Sequence, residues 1–288
     1  MLLEARDITK AFGSFKAVDS ASVTLEQGDI LGLIGPNGAG KSTTFAMLAS
    51  LLRPTSGSIT VMGADPAKDG TTLRRHLGYM PDTLGVYDNL RVEEYLQFFA
   101  ASYRIPRAKW PSLISGLLEL VELTVKTDAM VNSLSRGMKQ RLSLARSLVH
   151  DPDVLILDEP ASGLDPRARV ELRDLLRGLN SMGKTIVISS HILAELEEVC
   201  TDVAIMEAGK LLASGPPRAI LDQLGAARTI RVRFSDGTIE THTAADDAEQ
   251  ATLLRRLVLD DERDVVEFIE QSSGLEELFL SVTEGVVQ

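Results

Sequence analysis

Gly35-Pro36-Asn37-Gly38-Ala39-Gly40-Lys41-Ser42 fits G-x-x-x-x-G-K-[ST], a spacing suited to holding the phosphates of a nucleotide. Glycines at 35, 38 and 40 let backbone N–H groups turn inward without a Cβ in the way. The helix that starts at Lys41 adds the positive end of its dipole. In such a loop Lys41 reaches the β- and γ-phosphates, the Ser42 hydroxyl ligates Mg²⁺, and Thr43, in the first helical turn, is expected to join the loop residues that bind the nucleotide. A second concentration of chemistry is Asp158-Glu159, which closes the apolar run Val154-Leu155-Ile156-Leu157. A carboxylate at the end of a buried strand can hold Mg²⁺ directly or through water, and a second beside it can take a proton from an attacking water. An acidic pair at that place is also a common way to begin a loop or helix.

Positioning these groups requires a strand before the loop and a helix after it. Ile30-Leu31-Gly32-Leu33-Ile34 reads as the buried strand, and Lys41 to Leu52 as a helix stopped by Arg53-Pro54. Leu2 to Arg6 and Ala21 to Leu25 read as short strands of a β subdomain. Helical periodicity runs from about Val92 to Arg146, broken at Pro106 and Pro111. Buried strands are expected at Val154 to Leu157 and Lys184 to Ser189, with a helix around Arg167 to Leu179 between them. Val203 to Met206 and Lys210 to Leu212 read as a hairpin across Ala208-Gly209. Gly215-Pro216-Pro217 breaks the pattern. Beyond it come alternating strands at Thr229 to Phe234 and Thr238 to Glu240 around Asp236-Gly237, then a helix from Ala248. A strand at Val265 to Ile269 and a helix at Leu275 to Val282 close the chain.

Between the phosphate loop and Asp158 lies Leu134-Ser135-Arg136-Gly137-Met138-Lys139-Gln140-Arg141. Together with the loop, the strand-end acidic pair and Ser162-Gly163-Leu164-Asp165, this order resembles the nucleotide-binding domain of ATP-binding-cassette (ABC) proteins. The resemblance implies an α/β fold: a P-loop NTPase core with an antiparallel β subdomain and a helical subdomain over residues 2–219. A small α+β accessory domain is expected over 220–288. It also implies ATP and Mg²⁺ as ligands, and a second ATP-binding subunit whose signature, through Ser135 and Gly137, meets the ATP held by the first. Glu159 resembles the catalytic glutamate, and Asp158 and Asp82 are expected near the metal with Ser42. His191, after the strand at Thr185 to Ser189, resembles the switch histidine that bonds the γ-phosphate. A lone histidine is otherwise more often a packing or surface residue. Phe12 aligns with the aromatic that stacks on adenine, although by residue type alone it serves equally as a core phenylalanine.

Two departures from the pattern stand out. Asp82 follows Leu77-Gly78-Tyr79-Met80-Pro81 where the family usually has glutamine, which adds a carboxylate near the metal. The signature carries Arg136 where glycine is common and Met138 where glutamine is common, while Ser135 and Gly137 are kept.

Composition narrows the class. The chain has 288 residues, 44% hydrophobic and 25% charged, as in a globular protein. No apolar run is long enough to span a bilayer, and the first residues lack the pattern of a signal peptide, so a cytoplasmic protein is expected. Cys200 is the single cysteine, which excludes an internal disulfide. Net charge is −11, of which −9 falls in residues 220–288, so neither nucleic acid nor anionic lipid is an expected partner of the tail. The resemblance implies instead a transmembrane permease, separately encoded, that holds the chain on the cytoplasmic face of the cell membrane. Leu84, Tyr87, Phe98, Phe99 and Tyr103 are candidates for the permease-facing groove, and export is the direction implied. A non-transport ATP switch in translation or DNA maintenance is the alternative; such proteins usually carry paired cassettes or long coiled coils, which this chain lacks.

Overall fold

The computed structural model describes residues 2–82, 85, 87, 89–190, 196, 199–223, 228–260 and 263–271. The chain divides after Ser214 into two compact units.

In the first unit, β1 (Leu3–Phe12) pairs antiparallel with both β2 (Phe15–Leu25) and β4 (Ser56–Val61). These strands are longer than the sequence pattern indicates. Irregular register, with Asp7 and Ser20 at positive φ, interrupts the alternation but not the pairing. The second sheet has the order β5-β6-β7-β3-β8-β9, formed by β3 (Ile30–Ile34), β5 (Leu77–Met80), β6 (Val154–Leu157), β7 (Thr185–Ser190), β8 (Asp202–Glu207) and β9 (Lys210–Gly215). The first five of these in space run parallel. Every residue of β3 and β6 is buried, which explains why both read as uninterrupted apolar runs.

Helix α1 (Lys41–Leu48) leaves β3 through the glycine loop and ends about a turn before the expected Leu52. Ser50 at φ 60 breaks the helical path there. α2 (Pro66–Leu73) follows β4. The helical region consists of α3 (Val92–Ser102), α4 (Trp110–Leu120) and α5 (Arg136–Leu148), and α6 (Pro166–Ser181) joins β6 to β7. Leu3, Ile8, Phe45, Met47, Val154, Ile156 and Val187 belong to one buried cluster that joins both sheets to α1.

The second unit holds α7 (Pro217–Gln223) and a three-stranded antiparallel sheet, β11-β10-β12, made of β10 (Arg228–Phe234), β11 (Ile239–Ala244) and β12 (Val265–Gln271). With α8 (Asp247–Arg255) it encloses its own core of Ile230, Val232, Phe234, Ala244, Leu253 and Leu257. Arg263 lies over the Phe234 ring, 3.4 Å from its centroid, and pairs with Glu240 at 2.6 Å. The expected helix at Leu275 to Val282 lies outside the described residues.

Candidate active site

The phosphate loop takes its shape from close backbone approach. Gly40 caps α1 at φ 104, and a Cβ there would stand 2.4 Å from the Ala17 carbonyl oxygen. A Cβ on Gly35 would meet the Met206 carbonyl oxygen at 2.3 Å, so neither position admits a side chain. The Ala39 side chain is buried, its N–H donates to the Pro36 carbonyl at 3.1 Å, and Asn37 and Gly38 are exposed at the tip.

Lys41 is buried in the centre of the loop. Its Nζ donates to the Gly35 carbonyl at 2.6 Å and the Pro36 carbonyl at 3.3 Å, and stands 3.7 Å from Glu159 Oε1. A cavity of about 320 Å³ opens beside it, lined by Pro36, Asn37, Gly38, Gly40, Lys41, Ser42, Thr43, Asp82, Glu159, Ala17 and Phe15. The loop, the acidic residue after β6 and the residue replacing the family glutamine thus meet at one place, at the carboxyl ends of parallel strands where α/β folds bind ligands.

Asp158 and Glu159 have different surroundings. Asp158 is buried and accepts a hydrogen bond from the Ser189 hydroxyl at 2.7 Å. Glu159 sits at φ 49, a left-handed conformation that non-glycine residues adopt only when their surroundings hold them there. Its N–H donates to Ser189 Oγ at 2.9 Å, so one hydroxyl at the end of β7 ties both acidic residues in place. Burial, reinforced by the Asp158 carboxylate, pushes the nearby Tyr79 phenol up to about 12, which keeps it neutral.

Mg²⁺ fits the donors present, which are a hydroxyl and carboxylates, all hard oxygens. Among the described residues no cluster of three or more His, Cys, Asp or Glu is placed to hold a metal.

The remaining expected residues fall in several places. Ser135 N-caps α5, its hydroxyl accepting from the Met138 N–H at 3.3 Å, and Gly137 lies in the first turn. Phe12 is exposed and pairs in register with Phe15 across the β1–β2 turn, with the Lys10 ammonium 5.3 Å from its ring centroid. Phe15, rather than Phe12, lines the cavity. His191 and Leu84 lie outside the described residues. Tyr87 and Phe98 are exposed and meet edge to face at 5.1 Å; Phe98 meets Phe99 in the same way at 5.2 Å. Tyr103 instead stacks on His150 at 3.8 Å.

Sequence reasoning passed over Ser189, Gln140 and Phe15. Gln140 could have been found, because it falls in phase with Ser143, Leu144 and Ser147 on the buried stripe of α5. A polar residue in that phase needs a partner, and its Nε2 donates to the Glu159 carbonyl at 3.3 Å.

This fold and loop define a P-loop ATP-binding domain. The chain belongs to the ABC transporter family, whose pattern matches residues 18–162. It is 42% identical over 216 residues to the probable multidrug ABC transporter ATP-binding protein YbhF of Escherichia coli, an alignment covering 75% of this chain and 37% of that protein. It therefore spans well under half the length of that relative. With the Nod factor export ATP-binding protein I of Rhizobium meliloti it shares 35% identity over 302 aligned positions, covering 98% of this chain and 88% of the relative. A solved structure described as the ATP binding subunit of an ABC transporter superposes with a TM-score of 0.72 at 32% identity, covering 78% of this chain and 94% of that one. Binding of ATP follows from membership and from the loop.

Proposed function

We propose that this chain is the ATP-hydrolysing subunit of an ABC exporter, with an ATP-binding domain over residues 2–219 and an accessory domain over 220–288. The observation that carries the reading is the convergence of Lys41, Ser42, Asp82 and Glu159 on one cavity. The loop amides and Lys41 bind the triphosphate, and Lys41 follows the charge that develops on the γ-phosphate. Ser42, Asp158 and Asp82 hold Mg²⁺, which neutralises phosphate charge when bound. Glu159 orients the attacking water and accepts its proton, and His191 bonds the γ-phosphate.

Ser135 and Gly137 face the ATP of a second ATP-binding subunit, so two subunits close over two ATP molecules. Hydrolysis reopens them and moves a separately encoded permease, which places the chain on the cytoplasmic face of the membrane. Among the described residues no helix is long and apolar enough to cross a membrane. The similarity to proteins named for multidrug transport and Nod factor export supports export as the direction.

Glu159→Gln tests the chemistry. It should retain ATP binding, lose about 10²–10⁴-fold in turnover, as for a removed general base, and accumulate a two-subunit form with ATP. Unchanged turnover would remove Glu159 from the mechanism.

A further inference from the structure

The backbone of Glu159 is held at both ends. Its N–H is taken by Ser189 Oγ, and its carbonyl accepts two hydrogen bonds, from the Ser162 N–H at 3.0 Å and from Gln140 Nε2 at 3.3 Å. Gln140 is 4% exposed, so its amide is committed to the protein interior.

The same face of α5 continues along the segment that follows Glu159. Arg136 Nη2 donates to Ser162 Oγ at 3.3 Å. The Arg136 guanidinium also packs on Gly163, where an added Cβ would stand 2.5 Å from Cζ. Gly163 has φ 71, so its missing side chain serves both the turn and the arginine. A Cβ on Gly137 would meet Leu164 Cδ2 at 3.3 Å. Positions 136 and 140 lie one turn apart on one face of the helix and together clasp residues 159 to 163.

We propose that the start of α5 positions the general base of its own chain, with Gln140 and Arg136 as the positioning residues for Glu159. The proposal rests on the reading of Glu159 given above and extends it. One surface of this turn, at Ser135 and Gly137, meets the ATP of the second subunit. The other surface sets Glu159 over the ATP of its own chain. A shift of α5 on engaging one nucleotide therefore moves the base at the other, and the two sites are coupled through one helix. Arg136, in the place where the family commonly has glycine, adds a contact that a glycine cannot make.

The test uses the full chain and compares wild type with Gln140→Met, which keeps volume and removes the donor, and with Arg136→Gly at an exposed position. Gln140→Met should lower kcat about tenfold, because a displaced base loses alignment with its water, while KM and ATP affinity stay within about twofold. ATP should also accumulate a two-subunit form of this variant. Arg136→Gly should change kcat in the same direction by a smaller factor, and it supplies the answer if Gln140→Met does not fold. In a Glu159→Gln background neither change should cost further turnover, since the group being positioned is gone. Full kcat in both variants overturns the proposal, as does the same fractional loss in the Glu159→Gln background. Unchanged turnover in Glu159→Gln alone overturns the general-base reading and this one with it; the additive result overturns this one alone.

Discussion

The hydroxyl of Ser189 donates to Asp158 Oδ1 across 2.7 Å, at the carboxyl ends of two adjacent parallel strands, and accepts the N–H of Glu159. A small side chain on β7 thus holds the carboxylate of Asp158 and the backbone of Glu159, and with them the geometry offered to metal and water. Both Ser189 and Asp158 are buried, so the bond is not exchanged for one to solvent.

Ser189→Ala should therefore destabilise the domain by about 1–3 kcal/mol, the cost of leaving a buried polar partner without its hydrogen bond. It should also raise the Mg²⁺ concentration needed for half-maximal turnover, because Asp158 loses its orientation. Chemical denaturation and a Mg²⁺ titration check the two effects. Wild-type values in both would show that the hydroxyl has no positioning role.

The two rings at the β1–β2 turn are expected to serve different parts of the nucleotide. Phe15 stands beside the phosphate loop and Phe12 across the turn from it. Base stacking on an aromatic ring is worth about 1–3 kcal/mol, so Phe12→Ala should weaken ATP and GTP binding alike by that amount. Affinity for inorganic tripolyphosphate, measured by calorimetry, should not change. An equal loss for tripolyphosphate would mean that no base lies on this ring.

His150 links the helical region to the central sheet. Its ring stacks on Tyr103, and Nε2 donates to the Leu77 carbonyl at 3.0 Å, which leaves Nδ1 buried without a hydrogen-bond partner among the described residues. Burial holds its pKa below the ordinary histidine value. The unfolded chain then takes up a proton at a higher pH than the folded one. Stability should fall as pH drops below about 6.5, the unfolded value, toward the lower folded value. Melting temperatures of wild type and His150→Phe, which keeps an aromatic partner for Tyr103, should converge or cross between pH 7.5 and 5.5, with wild type losing more. Parallel curves would assign the acid sensitivity to other groups.

Most of the site was legible because its chemistry is local in sequence. Residues 30–43 form strand, turn and helix in one short run, so spacing alone carries the geometry. Asp158 was legible because a buried strand announces its own end. Ser189 and Gln140 were not, since their roles come from tertiary packing. Ser189 reaches Asp158 across 31 positions and Gln140 reaches Glu159 across 19; a serine is not unusual at a strand end, and a glutamine on the buried stripe of α5 signals the need for a partner without saying which. In the fold, β4 was missed because Ser56, Gly57 and Ser58 dilute the apolar alternation, although β1 supplies its pairing. The C-terminal strands β10 and β11 were legible because one face is buried and Asp236-Gly237 marks the turn.

Attachment to the permease should depend on the exposed aromatic pair of the helical region. Tyr87 and Phe98 meet edge to face on the surface, and Phe98 leads through Phe99 to Arg146, whose guanidinium lies 5.4 Å from the Phe99 centroid. Arg146 in turn donates to the Tyr79 carbonyl at 2.9 Å, three residues before Asp82 on the cavity wall. A permease segment seated on Tyr87 would thus press on side chains that continue to the nucleotide. Tyr87→Asp places an unpaired charge in that contact and should release the chain from membranes containing the permease while sparing ATP binding. Co-expression with candidate permeases followed by membrane sedimentation reads the first effect, and nucleotide titration the second. If the wild-type chain stays out of the membrane fraction beside every candidate and travels instead with ribosomes or DNA, the exporter reading is wrong and the ATP switch serves another machine.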